Sequence, residues 1–436
     1  MTVTDGTPAI LVGRRDSSGG ANPAETRSLA RVAGYKVLES MQTPGDFEAA
    51  LGLDDGAVSR IERRIADSEV TAVIVDDRLT PHQRYALAER FPGGTAVIGR
   101  IRLLLDVLAA RKDTREAQVS VERAECEYEI TRLGARRDLA RRDEPAPDSL
   151  PLDSARPGRE DELEDRISRL RTTLDDRQAE RRRRIERRRE SGFHLVGLTG
   201  YVNAGRTTLL RRLGADVAVG EESERHPDLT AGLPVDEDPF TTIGPATRRM
   251  QGSDRDVLLT DTIGAITGAP GWLWDAFRPA VQPLREADAV VVVVEATDPP
   301  STIRRKVETA LGLAFDGGDS VPPIALTKID LVDSEAIREK RAGLERAFDT
   351  TVVPLCAQEG TGIEELERVI HDALPALERR RIELPLSEEA MSLVSRIHDE
   401  ASVVETEYGS ETVVIEFQAA DTIVDQLVAA AESVQE

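Results

Sequence analysis

Lysine, cysteine and aromatic residues are scarce in this chain of 436 residues, and its apolar runs are short. The two cysteines, Cys126 and Cys356, provide neither a disulfide framework nor a cluster of metal ligands, as is typical of the reducing cytoplasm. The longest strongly apolar run, Ala289 to Val294, has the length of a buried strand and is too short to span a membrane. Because no signal-peptide pattern is found either, we expect a cytoplasmic protein without a membrane partner.

Lysine is almost entirely replaced by arginine, with five lysines and 52 arginines in the chain. Aspartate and glutamate outnumber both, so the formal net charge is −23 and the isoelectric point is about 4.8. Such acidity with few lysines resembles proteins of salt-loving archaea, where multimolar salt shortens the Debye length to about 3 Å or less. We therefore expect a halophilic protein that folds poorly at low salt.

The segment Gly200 to Thr207, Gly-Tyr-Val-Asn-Ala-Gly-Arg-Thr, follows an apolar run and precedes Leu209-Leu210, which predicts strand, loop and helix. It matches the phosphate-binding pattern G-x-x-x-x-G-K-S/T except that Arg206 replaces the lysine. Glycines let backbone N–H groups approach phosphates closely, and the Thr207 hydroxyl would bind Mg²⁺. We call residues 200–207 the phosphate loop. Taken alone, the segment could also be a glycine-containing turn without a ligand.

A second motif, Asp261-Thr262-Ile263-Gly264, follows the strand-like run Val257 to Thr260. A carboxylate at a strand end is where the Mg²⁺ of a bound nucleotide needs a partner through water. The amide of Gly264 could approach the γ-phosphate, because glycine leaves the backbone accessible. The motif therefore complements the phosphate loop.

A third motif, Thr327-Lys328-Ile329-Asp330, follows the apolar segment Pro323 to Leu326. Asp330 could accept hydrogen bonds from guanine N1–H and the exocyclic amine, a pair of donors that adenine lacks. The stem of Lys328 would lie along the face of the base. The fourth motif, Cys356-Ala357-Gln358, follows Thr351 to Leu355 and stands where GTPases present a backbone N–H to guanine O6.

The order of these motifs resembles that of translation-factor-class GTPases, and several segments resemble the HflX family. Gly200 to Gly205 is similar to the G-Y-x-N-A-G start of that family's phosphate loop. Phe240 to Arg248 is similar to its first switch, F-A-T-L-D-P-T-x-R, although Gly244 replaces the acid. Positions after the second motif also match the family: Ile266, Pro270, Leu273, Ala276 and Phe277.

The resemblance extends outside the nucleotide-binding segment and covers roughly residues 8 to 400. Asp76 to Gln83 is similar to the D-D-x-L-S/T-P-x-Q segment of the HflX N-terminal domain. Leu103 to Asp106 and Arg111 to Val119 are similar to the family's L-I-L-D-I-F and R-A-x-T-x-E-x-x-x-Q-V helix.

The motifs and the resemblance together imply a GTP site with Mg²⁺ as cofactor. Thr207 and Thr242 would bind the metal directly, Thr242 only once the γ-phosphate orders the first switch, and Asp261 would bind it through water. The implied catalytic residues are Arg206, Thr242 and Gly264. The implied GTP-binding residues are Gly200, Tyr201, Val202, Asn203, Ala204, Gly205, Arg206, Thr207, Thr208, Phe240, Thr241, Thr242, Ile243, Gly244, Asp261, Thr262, Ile263, Gly264, Thr327, Lys328, Ile329, Asp330, Cys356, Ala357 and Gln358.

The resemblance also implies a partner and a biological role. Ala265 follows Gly264, so no side chain there can orient the attacking water, which resembles GTPases that are slow until a partner completes the site. The implied partner is the ribosome, chiefly the RNA of the large subunit, with the chain acting as a monomer in subunit splitting, rescue or stress response. Two alternatives remain: a GTPase of ribosome assembly or another RNA complex, and a nucleotide-gated scaffold with little hydrolysis.

Two departures from the family pattern bear on these expectations. Arg206 keeps the positive charge but is bulkier and forked, and arginine does not replace lysine conservatively at a crowded phosphate site. We expect it to slow turnover. The family's glycine-rich G-x-G-P-G-E loop is reduced here to Pro157-Gly158 within Ala155 to Glu160, which puts any ribosomal contact by that loop in doubt.

Length and patterning predict an α/β protein of several domains. Residues 1–110 alternate strands and helices as an α/β domain, and 111–190 form a helical hairpin with Leu163, Ile167, Leu170 and Leu174 along its seam. Residues 192–381 are the GTP-binding domain with a mostly parallel sheet. Residues 382–436 form a small α+β domain in the order strand, helix, hairpin, helix.

The run Arg181 to Arg189 at the end of the hairpin contains seven arginines in nine residues. It could contact the phosphates of ribosomal RNA. It could equally be a solvated helix face whose arginines pair with the many acids of the chain.

Overall fold

A computed structural model describes residues 6–14, 23–43, 53–110, 114–141, 158–190, 193–214, 246–250, 255–266, 269–314 and 321–435. The first unit contains β1 Thr7–Arg14, α1 Pro23–Val32, β2 Tyr35–Thr43, α2 Asp55–Ala66, β3 Ala72–Val75, α3 Pro81–Arg90, β4 Ala96–Gly99 and α4 Arg100–Ala110. Its strands form a parallel sheet in the order β2-β1-β3-β4, here called the N-terminal sheet. The predicted α/β fold of this part is confirmed.

The segment Asp76 to Gln83 has a local structural role. Thr80 caps α3 by accepting a hydrogen bond from the Gln83 amide, while the Gln83 side chain accepts one from the Thr80 amide. Pro81 occupies the first turn, where no backbone donor is needed. The motif is therefore a reciprocal helix cap, which explains its Thr-Pro-x-Gln spacing.

The predicted helical hairpin is formed by α5 Arg115–Arg141 and α6 Arg159–Glu190. Arg159 pairs with Glu129 and Arg166 with Glu122, so residue numbers rise along one helix as they fall along the other. The apolar seam contains Cys126, Ile130, Leu133, Leu163, Ile167 and Leu170. Both helices are strongly polar outside this seam, and no helix within the described ranges is long and apolar enough to cross a membrane.

The arginine run at the end of α6 holds this helix against its neighbours. Arg181 pairs with Glu116 of α5 at 2.5 Å, and Arg182 pairs with Glu286 at 3.2 Å. Arg189 pairs with Asp288 at 2.7 Å and donates to the Glu286 carbonyl at 2.6 Å. These contacts favour the structural interpretation for three of the arginines. Others, such as Arg183 and Arg187, have exposed side chains.

The central sheet contains β5 His194–Gly200, β6 Ala246–Arg249, β7 Val257–Asp261, β8 Ala289–Glu295, β9 Ile324–Thr327 and β10 Val352–Pro354, in the order β10-β9-β8-β5-β7-β6. All neighbours are parallel except β6, which runs antiparallel to β7. The sheet is flanked by α7 Arg206–Leu213, α8 Gly271–Ala276, α9 Arg278–Arg285, α10 Pro300–Ala314, α11 Ser334–Phe348 and α12 Ile363–Ala373. The predicted mostly parallel sheet is confirmed.

The third unit contains β11 Glu378–Pro385, α13 Glu388–Glu400, β12 Ser402–Tyr408, β13 Thr412–Ala419 and α14 Asp421–Gln435. Its antiparallel sheet has the order β11-β13-β12 and its own apolar core. The predicted boundary between residues 381 and 382 falls inside β11, because Glu378 to Arg381 already pair with Ala419 to Glu416. The sheet of this unit therefore begins at Glu378, whereas the other domain boundaries stay predictions.

We expect Phe417→Ala to destabilise the C-terminal unit selectively. Phe417 is 0% exposed in the separate core of this unit, and truncating such a side chain costs about 3–5 kcal/mol. Hydrogen exchange followed by mass spectrometry in high salt should show faster exchange within residues 378–435 only. Tyr408→Ala, at a side chain that is 60% exposed, serves as the control. An equal rise in exchange in the central sheet would contradict a separately folding unit.

Candidate nucleotide-binding site

The phosphate loop is shaped by two glycines between β5 and α7. A Cβ on Gly200 would lie 2.2 Å from the carbonyl oxygen of Val293 on the paired strand β8, so no larger residue fits there. Gly205 precedes α7 with a φ of 87°, a conformation that favours glycine. The loop therefore follows the strand, turn and helix predicted from its sequence, and the N-terminus of α7 points its backbone donors toward the loop.

Backbone hydrogen bonds join the phosphate loop to the second motif. The amide of Val202 donates to the Ala265 carbonyl at 3.0 Å, and the amide of Ala265 donates to the Gly200 carbonyl at 2.9 Å. A Cβ on Gly264 would lie 2.9 Å from Cγ2 of Val202, so glycine is needed for this close approach. The first two motifs are thus brought together as predicted.

Arg206 lies between these two motifs and is only 7% exposed. Its Nη1 donates to the Gly200 carbonyl at 3.2 Å, and its Nε is 3.4 Å from Oδ1 of Asp261. The guanidinium therefore lies against the phosphate loop with a carboxylate beside it. A lysine ammonium could not make both contacts with the same geometry, because it is a compact charge without a planar fork.

Thr207 and Asp261 present adjacent oxygen atoms at the end of β7. The Thr207 hydroxyl donates to Oδ2 of Asp261 at 2.9 Å, and Asp261 is 0% exposed. Magnesium prefers oxygen ligands and is usually held by one or two protein groups together with water and phosphate. The donor set of this pair therefore fits Mg²⁺.

The third and fourth motifs lie side by side at the other end of the site. The Thr327 hydroxyl donates to the Ala204 carbonyl of the phosphate loop at 2.7 Å, and the Leu355 amide donates to the Leu326 carbonyl at 2.8 Å. Burial raises the pKa of the Cys356 thiol, and a hydrogen bond with the neighbouring Asp330 carboxylate raises it further. All four motifs therefore follow strands of the central sheet at one edge.

Comparison with known proteins decides the family. A family model described as "GTP-binding GTPase N-terminal" matches residues 21–109, and one described as "50S ribosome-binding GTPase" matches residues 195–316. The GTPase HflX of Thermofilum pendens is 30% identical over 422 residues, which cover 93% of each chain. The chain belongs to the HflX family of GTPases. It is therefore a GTPase, and the predicted family and enzyme class are confirmed.

Other HflX relatives are similar over much of this chain. The GTPase HflX of Thermococcus kodakarensis is 28% identical over 409 residues, covering 89% of this chain and 86% of that protein. A GTP-binding protein of Sulfolobus solfataricus, solved in complex with GDP, has a TM-score of 0.43 and 19% identity, covering 84% of this chain and 98% of that chain.

A charged cluster beside the third motif of this HflX chain was missed by sequence reasoning. Glu295, at the end of β8, accepts hydrogen bonds from Lys328 at 2.7 Å and from Lys306 at 2.8 Å. Lys306 also pairs with Asp298, and its ammonium lies 4.9 Å from the centroid of the Tyr201 ring. These two carboxylates raise the pKa of Lys306 above its ordinary value despite burial. The position of Glu295 after the apolar run 289–294 was the available sequence signal.

The phosphate loop of this HflX chain also contacts the N-terminal sheet unit. The Tyr201 hydroxyl donates to Oε2 of Glu25 at 3.1 Å, and Arg100 pairs with the same carboxylate at 2.6 Å. Arg100 in turn pairs with Asp76, which accepts a hydrogen bond from Thr26. No local sequence pattern predicts a contact between residues so far apart in the chain.

Some predicted site residues lie outside the described part of the chain, and three others are part of the surrounding fold. Phe240, Thr241, Thr242, Ile243 and Gly244 lie outside the described residues, so their predicted roles are not tested. The Thr262 hydroxyl donates to the Leu198 carbonyl at 3.3 Å, which anchors the second motif to β5. Ile263 is 1% exposed within the apolar core, and Thr208 follows Thr207 in the first turn of α7.

We expect Gly200→Ala to weaken GTP binding by at least about tenfold. The added Cβ would collide with backbone atoms of the paired strand β8, and neither strand can shift without disturbing the phosphate loop. Equilibrium titration with a fluorescent GTP analogue measures the effect. Gly312→Ala is the matched control, because a Cβ there meets nothing within 4 Å. Binding of GTP by Gly200→Ala at wild-type affinity would contradict a phosphate site at this loop.

Proposed function

We propose that this GTPase binds the large ribosomal subunit in its GTP form and acts in subunit splitting, rescue or stress response. The observation that carries the proposal is the match of residues 195–316 to a model described as "50S ribosome-binding GTPase", on a chain whose four motifs lie at one sheet edge. A cytoplasmic location, a monomeric state and adaptation to high salt are parts of the same proposal.

In this proposal each motif has a defined role toward Mg²⁺ and GTP. Thr207 binds the metal directly and Asp261 binds it through water, which the 2.9 Å hydrogen bond between these side chains supports. Thr242 joins them when the first switch closes on the γ-phosphate. Asp330 recognises the guanine edge, Lys328 lies on the base face, and the backbone of Cys356, Ala357 and Gln358 faces O6. A metal held by these residues would stabilise the negative charge of the phosphates during hydrolysis.

Hydrolysis then depends on charge stabilisation and on the orientation of water. Arg206 is the cation of the phosphate loop, but it already contacts the Gly200 carbonyl and Asp261. The amide of Gly264 would donate to the γ-phosphate. Ala265 is 0% exposed and has no polar side chain, so a partner must supply or position the group that orients water. We infer that hydrolysis is slow until the ribosome completes the site.

We expect large ribosomal subunits to stimulate GTP hydrolysis by at least about tenfold. Phosphate release is measured with the purified full-length protein in multimolar KCl with Mg²⁺, with and without large subunits, and small subunits serve as the control. Equal turnover in all three samples would contradict ribosome activation. Tight GTP binding without turnover in any sample would instead support a nucleotide-gated scaffold.

Co-sedimentation distinguishes splitting or rescue from a role in ribosome assembly. The proposed function predicts GTP-dependent sedimentation with mature large subunits. Preference for precursor particles over mature subunits would contradict the proposal and favour the assembly alternative.

We expect Arg206→Lys to raise the turnover rate by about threefold to tenfold, equivalent to about 1 kcal/mol of barrier. A lysine ammonium is compact and cannot keep the two contacts that hold the guanidinium between Gly200 and Asp261. Single-turnover hydrolysis and GTP affinity are both measured. Arg211→Lys, on the exposed side of α7, is the matched control. If Arg206→Lys leaves both quantities unchanged, arginine at this position does not limit the reaction.

A further inference from the structure

Lys306 of α10 is buried between the third motif and the phosphate loop. Its ammonium donates to Glu295 at 2.8 Å and to Asp298 at 2.5 Å, and it lies 4.9 Å from the Tyr201 ring centroid. The residue is 8% exposed. An ammonium has three donors, and here two carboxylates and an aromatic face surround it. The lysine is therefore fixed by its surroundings and links α10 to the second residue of the phosphate loop.

Glu295 is shared by two lysines. One carboxylate oxygen accepts from Lys306 and the other from Lys328 at 2.7 Å. The side chains of Glu295 and Lys306 are 15% and 10% exposed, whereas that of Lys328 is 36% exposed. The buried pair is therefore the more enclosed part of the arrangement, and Lys328 is the more exposed side chain held by it.

The backbone of Lys328 adds a reason why this side chain needs an anchor. Lys328 has a φ of 60°, in the left-handed region that is uncommon for residues other than glycine. This conformation turns the chain from β9 into the 3₁₀ turn Ile329–Leu331 and determines where the lysine side chain starts. A long side chain with four rotatable bonds then loses much conformational freedom when it is ordered. An ion pair formed before the nucleotide arrives reduces that cost on binding.

We propose that Glu295 and Lys306 are positioning residues that hold Lys328 in place for the guanine base and tie it to Tyr201 of the phosphate loop. The proposal rests on the proposed recognition of guanine by Lys328 and Asp330. It makes guanine selectivity depend on two residues outside the four motifs, neither of which needs to contact the nucleotide. It also links the third motif and the phosphate loop through the buried ammonium of Lys306.

A purely structural role of the cluster predicts a different outcome. Buried ion pairs often stabilise a fold little, and removing one partner generally harms the whole region. Such damage would weaken the binding of every nucleotide alike. A positioning role instead affects the guanine base, so the ratio of guanine to adenine nucleotide affinity is the decisive quantity.

The test uses Glu295→Gln in the full-length protein at high salt, with equilibrium binding of fluorescent GDP and ADP analogues. We expect the GDP affinity to fall by about fivefold to tenfold and the ADP affinity to stay within about twofold, so that discrimination decreases. The turnover rate at saturating GTP should stay within about twofold, which makes this an effect on KM. Glu308→Gln is the matched control. It also removes one carboxylate charge, but from an exposed pair with Arg304 on α10, the helix that carries Lys306.

Two variants of Lys306 test the proposal even if Glu295→Gln does not fold. Lys306→Arg keeps a cation beside Glu295 and should recover most of the GDP affinity that Lys306→Met loses. Equal loss of GDP and ADP binding, or wild-type discrimination in Glu295→Gln, would overturn the positioning role. Wild-type protein that binds GDP and ADP equally would instead contradict guanine recognition itself, and with it the proposed function.

Discussion

The in-register parallel pairing of β5 with β7 and β8 is the constraint on which the rest of the site depends. Leu198 lies opposite Asp261 and Gly200 opposite Val293, while Glu295 lies opposite Thr327 one strand further along. Because parallel strands end at the same edge, the residues that follow each strand meet there. The close approach of Gly200 to β8 is possible only without a Cβ, so this glycine sets both the sheet geometry and the path of the phosphate loop.

Arginine and lysine side chains occupy different places in this acidic chain. Arginine supplies the pairs that join α6 to α5 and to the central sheet, where a forked cation can bind side chain and carbonyl together. The few lysines include Lys306 and Lys328, which contact Glu295 at the end of β8, and Lys340, which donates to the carbonyl of the next residue, Ala296. Arg206 contacts the Gly200 carbonyl and Asp261, and these two contacts are the reason for expecting slow turnover.

The N-terminal sheet unit and the central sheet share one continuous apolar cluster that includes Leu103, Val107, Tyr201, Ile266 and Phe277. Glu25 and Arg100 add polar contacts from the same side onto Tyr201. The N-terminal unit therefore contacts the phosphate loop through the aromatic side chain of Tyr201. The buried Asp76 pairs with Arg100 and so helps to hold the N-terminal contribution to this interface in place.

The sequence by itself determined the features that depend on residues close together in the chain. The glycines of the phosphate loop, the apolar strands before each motif, the seam of the helical hairpin and the order of elements in the C-terminal unit all follow from local spacing and conformational preference. Only the tertiary structure decided which distant charges meet. The contacts of Lys328 with Glu295, Tyr201 with Glu25 and Arg189 with Asp288 depend on strand order and helix placement, and the start of β11 at Glu378 depends on pairing with β13. Local spacing cannot encode such contacts, because any of the many acids of this chain could satisfy an exposed cation until the fold places one within reach.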